Sequence, residues 1–204
     1  MADNLTTTTT VSTVPNATVI ATDDAGSAHY QKVKLVDGTA DSTTVIPGTA
    51  NGLQVVTAAT VIDLTLSLDT DAYADGDVLA EAQELASAVR GATTTGVIQS
   101  IHVVDQDDQA QAFDIVISDA TITLGTENSA VSISDADAAK ILGIIEVTQA
   151  DYFDLVNSQA ATKRNLGVII QPASGTSVYI SAVSRGTGTY SASGIVLRFG
   201  ILQD

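Results

Sequence analysis

The sequence contains no cysteine and no tryptophan, and only two histidines, three prolines and one methionine in 204 residues. The lack of cysteine excludes a disulfide scaffold, thiolate zinc sites and thiol catalysis. Two imidazoles are too few for a multi-histidine metal centre. Basic side chains are scarce as well: eight Lys and Arg stand against 24 Asp and Glu, a formal charge of −16. Phosphate neutralisation needs clustered cations, so no nucleic-acid partner is expected. Polybasic attachment to an anionic membrane is disfavoured for the same reason. No uninterrupted apolar run reaches the ~18 residues of a membrane-spanning helix. Met1 to Thr10 has neither the basic start nor the apolar run of a secretory signal. A soluble protein outside the general export route is the expectation.

Hydrophobic residues nevertheless make up 45% of the chain, with aromatics only 4%. Any core must therefore be built from Val, Ile, Leu and Ala. Thr accounts for roughly one residue in eight, and with Val and Ile it suits a pleated, half-buried surface. Short apolar runs recur between turn signals: Val61–Leu68, Gly96–Val104, Ala112–Ser118, Gly143–Val147, Leu166–Ile170, Ser177–Val183 and Ile195–Leu202. Several alternate plainly, as in Asp63-Leu64-Thr65-Leu66-Ser67-Leu68. This pattern favours an antiparallel sandwich or barrel over alternating βα units. Ser134 to Gly143 breaks it, with an N-cap Ser, acidic first-turn residues, a late Lys and a closing Gly; a short helix is expected there. Val78–Arg90 is ambiguous, because Val78, Ala82, Leu85 and Val89 fit a helical stripe. Its place between strands tips the reading toward β. The fold class expected is mainly β: an antiparallel β-sandwich or jelly-roll-like domain with one short helix, preceded by an extended N-terminal arm and a small β segment.

The N-terminal part reads differently. Residues 1–16 are low in complexity and bury little, so they are expected to order only against a partner. Ala17–Thr22 and Tyr30–Val36 read as strands, separated by a turn over Asp23-Asp24-Ala25-Gly26-Ser27. Residues 38–52 read as an extended linker. Residues 1–58 are thus expected to form a flexible arm and attachment segment, and 59–204 the β-sandwich domain.

No motif encodes chemistry. Asp69, Asp71, Asp75 and Asp77 offer hard oxygen ligands of the kind calcium needs, but their spacing misses the helix–loop–helix calcium loop. A solvated turn after a strand is the preferred reading, and Asp105-Gln106-Asp107-Asp108-Gln109 reads as a hairpin loop. A carboxylate pair for glycoside hydrolysis lacks the aromatic-lined cleft that would go with it. His29 and His102 have no catalytic companion, and no Gly-x-Ser-x-Gly elbow is present. His102 should face away from Ile101 and Val103. Arg185-Gly186-Thr187-Gly188 lacks the Lys and helix of a phosphate cradle and reads as a turn. Tyr73, Tyr152, Tyr179 and Tyr190 read as packed rings with hydroxyls at the surface. The apolar faces of Val178–Val183 and Ile195–Leu202 read as core before oligomer contact. No catalytic, cofactor-binding or metal residue is expected, no cofactor, and no enzymatic activity.

Ile20-Ala21-Thr22-Asp23-Asp24, leading into His29-Tyr30-Gln31-Lys32-Val33-Lys34-Leu35-Val36-Asp37-Gly38, resembles a segment of tailed-bacteriophage virion proteins. There too an acidic turn precedes such a strand, and Thr- and Ser-rich sequence follows. Asp69 to Leu79, Val103 to Gln109, Ile133 to Ala139, and Val178-Tyr179-Ile180 followed by Arg185 to Tyr190 are similar to phage structural proteins of the same kind. The resemblance implies a capsid decoration (cement) protein that binds the major capsid protein and stabilises the head shell. Its location would be the capsid surface of the virion, after assembly in the host cytoplasm. A homotrimer would match local threefold positions. The alternative is a tail, neck or host-contact (receptor-binding) component. A flexible arm could wrap a neighbouring subunit, and a charge of −16 suits an outward face better than a DNA-filled interior.

Overall fold

The structure is a computed structural model that describes residues 58–203, together with the backbone of 22–25, 28–31, 48–49 and 52–53. By its contacts the chain divides into two units, Met1–Val56 and Thr57–Asp204. In the first, β1 (Thr22–Ala25) pairs antiparallel with β2 (Ala28–Gln31), and β3 (Gly48–Thr49) pairs with β4 (Gly52–Leu53). Asp23, Asp24 and Ala25, expected in a turn, therefore belong to a strand. Ala25 stands opposite Ala28, and an antiparallel ladder can close through so short a connection without taking up the acidic residues. The linker expected over 38–52 is described only at 48–49 and 52, where it is ladder. The arm 1–16 and the strand residues expected at 17–21 and 32–36 lie outside the described residues.

Among the described residues the second unit holds nine strands: β5 (Ala58–Thr65), β6 (Val78–Leu85), β7 (Gly96–Asp105), β8 (Phe113–Ser118), β9 (Ile141–Val147), β10 (Tyr152–Asp154), β11 (Gln159–Ile170), β12 (Val178–Ser184) and β13 (Ile195–Gln203). They form a five-stranded sheet ordered β10-β11-β7-β13-β5 and a four-stranded sheet ordered β6-β12-β8-β9. Every ladder is antiparallel. The pairing has a simple rule. First pairs with last, β5 with β13; then β6 with β12, β7 with β11, and β8 with β9. A long hairpin rolled over two sheets gives this nesting, and it is the topology of a jelly roll. Of the two architectures expected, the strand order selects that one.

Local alternation builds the core. Along β13, Ile195, Leu197, Phe199 and Ile201 are buried between the sheets, while Arg198 and Leu202 face out. β7 keeps both Ile98 and Ile101 inside although they are three residues apart. Its register against β13 steps from Ser100 to Ile98, so the extra residue is absorbed in a bulge. At that step stands Gly200, where a Cβ would lie 2.5 Å from Ser100 Oγ. β6 is a strand, as its place in the chain suggested. Val78, Leu79, Ala80 and Leu85 are buried on it, and pairing with the central strand β12 outweighs the weak helical stripe.

The short helix is present but stops early. α1 spans Asp135–Ala138, and the Ser134 hydroxyl accepts the Asp137 N–H at 3.1 Å. Gly143 does not close it. Ile141, Ile144, Ile145 and Val147 are β-branched and gain a full ladder against β8, so the chain leaves the helix at Ala139.

Candidate functional site

The acidic loop between β5 and β6 spends its carboxylates on its own backbone. Asp69 Oδ1 accepts the Asp71 N–H at 3.0 Å, and Asp77 Oδ2 accepts the Ala74 N–H at 2.7 Å. Tyr73 anchors the loop from beneath. Its hydroxyl accepts the Asp69 N–H at 2.6 Å and stands 3.2 Å from the Leu79 carbonyl oxygen and 3.1 Å from Glu127 Oε1. Among the described residues no three His, Asp or Glu side chains gather as a metal ion would require.

Asp105 ends β7 fully buried. Its Oδ1 accepts the Asp107 N–H at 3.0 Å, and its Oδ2 accepts those of Gln109 and Ala110 at 2.8 Å each. The loop it holds is not a hairpin. β7 and β8 belong to different sheets, so the segment crosses the end of the sandwich. A buried carboxylate supplies the acceptors that a tight ladder would otherwise have provided. Asp107 extends the arrangement: its Oδ2 accepts from the Ser191 N–H at 2.8 Å and the Ser191 hydroxyl at 2.9 Å, tying this crossing to the one between β12 and β13.

The remaining sequence candidates are dispersed. His102 faces out between buried Ile101 and Val103, as alternation required, with Nδ1 2.8 Å from Thr162 Oγ1. The side chain of His29 lies outside the described residues. Arg185 to Gly188 is a connection, and Arg185 Nε donates to Asp114 Oδ2 at 2.7 Å. Tyr73 and Tyr190 are packed as expected but buried, with their rings 6.2 Å apart, and burial raises the hydroxyl pKa of both, as of Tyr152. The Tyr73 hydroxyl is inside because the loop needs its hydrogen bonds there. β12 and β13 present their apolar faces to the core: Val178, Ile180 and Ala182 meet the inner face of the other sheet.

One surface cluster shows a strong electrostatic effect. Asp151 Oδ2 accepts from Lys163 Nζ at 2.8 Å, the Thr148 hydroxyl at 2.7 Å and the Thr148 N–H at 2.8 Å. The Lys163 bond, then those from Thr148, hold its pKa at about 2, against an ordinary 3.8. A depressed folded-state pKa stabilises above the unfolded value, and the contribution disappears as pH falls through the folded one. The Asp151 contribution should thus be complete above pH 3.8 and be lost toward about pH 2. Lys163→Met should move the Asp151 carboxyl titration back up toward the ordinary value, read by NMR; an unmoved titration would contradict the assignment.

Two apolar features reach the surface. Outside the four-stranded sheet, Val78, Val116, Ile122, Leu124 and Val183 pack as a second, smaller core under the chain between β8 and β9. Beside it runs a groove of about 410 Å³, lined by Val116, Leu124, Val131, Ile133, Ile144 and Val183, with Asp75, Asp114 and Arg185 at its charged end. The second feature is β10 with its turn to β11, where Phe153 on the strand is 69% exposed and Leu155 and Val156 in the turn 50% and 79%. Val156 has φ +77°, a conformation rare for a β-branched residue, and its N–H donates to Asp154 Oδ1 at 2.7 Å. Strain here bears on function, because it holds apolar side chains out in water. Val156→Gly should relieve it and stabilise the protein by about 0.5–1 kcal/mol in denaturant unfolding; a loss of stability would show that the turn is unstrained.

No protein-family model matches the chain, and no curated protein matches it either. Solved structures similar to this chain include two from viruses. One is a chain from the native virion of Kashmir bee virus at acidic pH, with 12% identity, 93% of each chain covered and a TM-score of 0.28. The other is a chain of Desmodium yellow mottle tymovirus, with 10% identity, 83% of this chain and 93% of that chain covered, and a TM-score of 0.21. At such scores neither likeness carries weight.

Proposed function

We propose that this chain is a structural component of a tailed-bacteriophage particle, specifically a decoration (cement) protein that adheres to the head shell. Its partner is the major capsid protein, and its own state is a homotrimer. The observation that carries the reading is the apolar turn of Phe153, Leu155 and Val156, mounted with backbone strain on a rigid two-sheet body. A protein gains nothing in isolation from strain that keeps such side chains wet; burial against another surface offsets both costs. The jelly roll alone selects no activity, since capsid domains, lectins and cupins share it. The resemblance of residues 20–38 to phage virion proteins narrows the choice. In this reading residues 1–58 attach, residues 59–204 project, and the acidic surface faces away from packaged DNA.

The test is to count this chain against the major shell protein in purified particles, then to strip and re-decorate them. Copies on the order of hundreds per particle support decoration, because the shell repeats its sites by symmetry; a dozen or fewer places the protein in the tail or neck. Phe153→Ser with Val156→Ser should keep the melting temperature yet lose re-decoration. Removal of residues 1–16 should weaken it. Full attachment by both variants would overturn the reading.

A further inference from the structure

Besides the groove and the apolar turn, a third surface of the second unit is apolar: the outer face of the five-stranded sheet. Its register places outward side chains in four rows across β5, β13, β7 and β11. One end row holds Leu202, Val97 and Ile169, and the row at the other end Val196, Val104 and Ala160. Between them lie a polar row, Asp63, Arg198, His102 and Thr162, and a row centred on Gly200 and Ser100 that begins at Val61. A sheet face left in water carries mostly polar side chains. Here Val61 is 65%, Ile169 66% and Leu202 38% exposed.

Charge and symmetry say what covers it. Of the 24 Asp and Glu in the sequence, the four rows carry one, Asp63. Arg198 holds it through two bonds of 2.7 and 2.9 Å, so that charge is already answered. The second arginine, Arg164, stands at the rim on β11. A contact between copies over the acidic loops would set carboxylate on carboxylate; over this face it would not. The order of the rows also makes the face self-complementary. When two copies meet face to face, their twofold axis lies between the sheets. Directed along the strands it sets each row on itself, and directed across them it sets the first row on the last. Either way apolar meets apolar, and Gly200 and Ser100 keep the middle low. Four strands at about 4.8 Å and seven residues at about 3.3 Å of rise give roughly 450 Å² before side-chain relief is counted. Two such faces therefore reach the ~1,000 Å² that a specific contact needs.

We propose that this face binds a second copy of the chain, sheet on sheet about a twofold axis. The contact does not rest on the virion reading. It requires copies in pairs: a dimer, or trimers joined two by two. Sedimentation and light scattering of the full chain over a concentration series test it. The paired form should appear and should strengthen several-fold as salt rises, because screening weakens the repulsion between anionic copies and leaves the apolar contact intact. In the unaltered chain the methyls of Val97, Ile169 and Leu202 should shift as the pair forms, a readout that needs no variant. Ile169→Glu with Leu202→Glu should raise the dissociation constant about tenfold or more. Ile144→Glu, at an exposed side chain of the other sheet, should leave it unchanged. A monomer throughout, a trimer with no paired form, or a dimer indifferent to the double variant overturns the proposal. Such a trimer would leave the homotrimer proposed above standing, whereas a plain dimer upholds the sheet contact and tells against the homotrimer alone.

Discussion

Asp105→Ala should lower the stability of the folded chain by about 3 kcal/mol, because three backbone donors lose a buried acceptor at once. The side chain is fully buried and takes the N–H groups of Asp107, Gln109 and Ala110 at 3.0, 2.8 and 2.8 Å. Asp105→Asn should lose less, since one carbonyl oxygen remains, but its amide would turn a donor toward donors. Denaturant unfolding measures both. Asp71→Ala, on an exposed carboxylate of the other acidic loop, should stay within about 0.5 kcal/mol of the parent. Equal effects at the two positions would show that Asp105 is not the anchor of its crossing.

Phe199→Ala should be as severe or worse, at about 3–5 kcal/mol. The chain has three phenylalanines, and Phe153 is on the surface, so Phe113 and Phe199 are the two that fill the interior. Phe199 sits on β13, between Ile62 of β5 and Ile101 of β7 in the ladder, where no backbone shift can close the cavity without breaking two pairings. For a domain of this size that loss corresponds to a fall in melting temperature on the order of 10 °C. Phe199→Leu should recover more than half of it. A fall of only a degree or two for Phe199→Ala would mean that the sheets do not pack face to face at this position.

Where burial follows a period of two, the strands were legible. The expected Gly96–Val104 and Ile195–Leu202 differ by one residue at one end from β7 and β13, both central strands whose inner faces meet the other sheet. Two other strands were harder. β11 begins at Gln159, well before the expected Leu166, because Thr162, Lys163 and Arg164 keep solvent on one side and show no apolar run. β5 starts and ends three residues earlier than expected: Leu66 and Leu68 alternate like strand residues and are buried, yet they lie beyond its ladder with β13. The two acidic loops looked alike in sequence. One is a surface turn over a buried tyrosine, and the other hangs from a buried carboxylate, a distinction that burial alone makes.

Composition and alternation by themselves determined a mainly β protein with an aliphatic core, an acidic surface, a capped helical turn near Ser134 and no clustered cations. Those properties depend on neighbours one to four positions apart, which any reading of the chain can compare. The tertiary structure alone decided the nesting of β5 with β13 and of β6 with β12, the inward hydroxyl of Tyr73, the exposure of Phe153 and Val156, and the apolar rows on the outer face of the five-stranded sheet. Each of these depends on which distant strands share an edge, and that choice is made by the closure of the whole sandwich rather than by any local stretch.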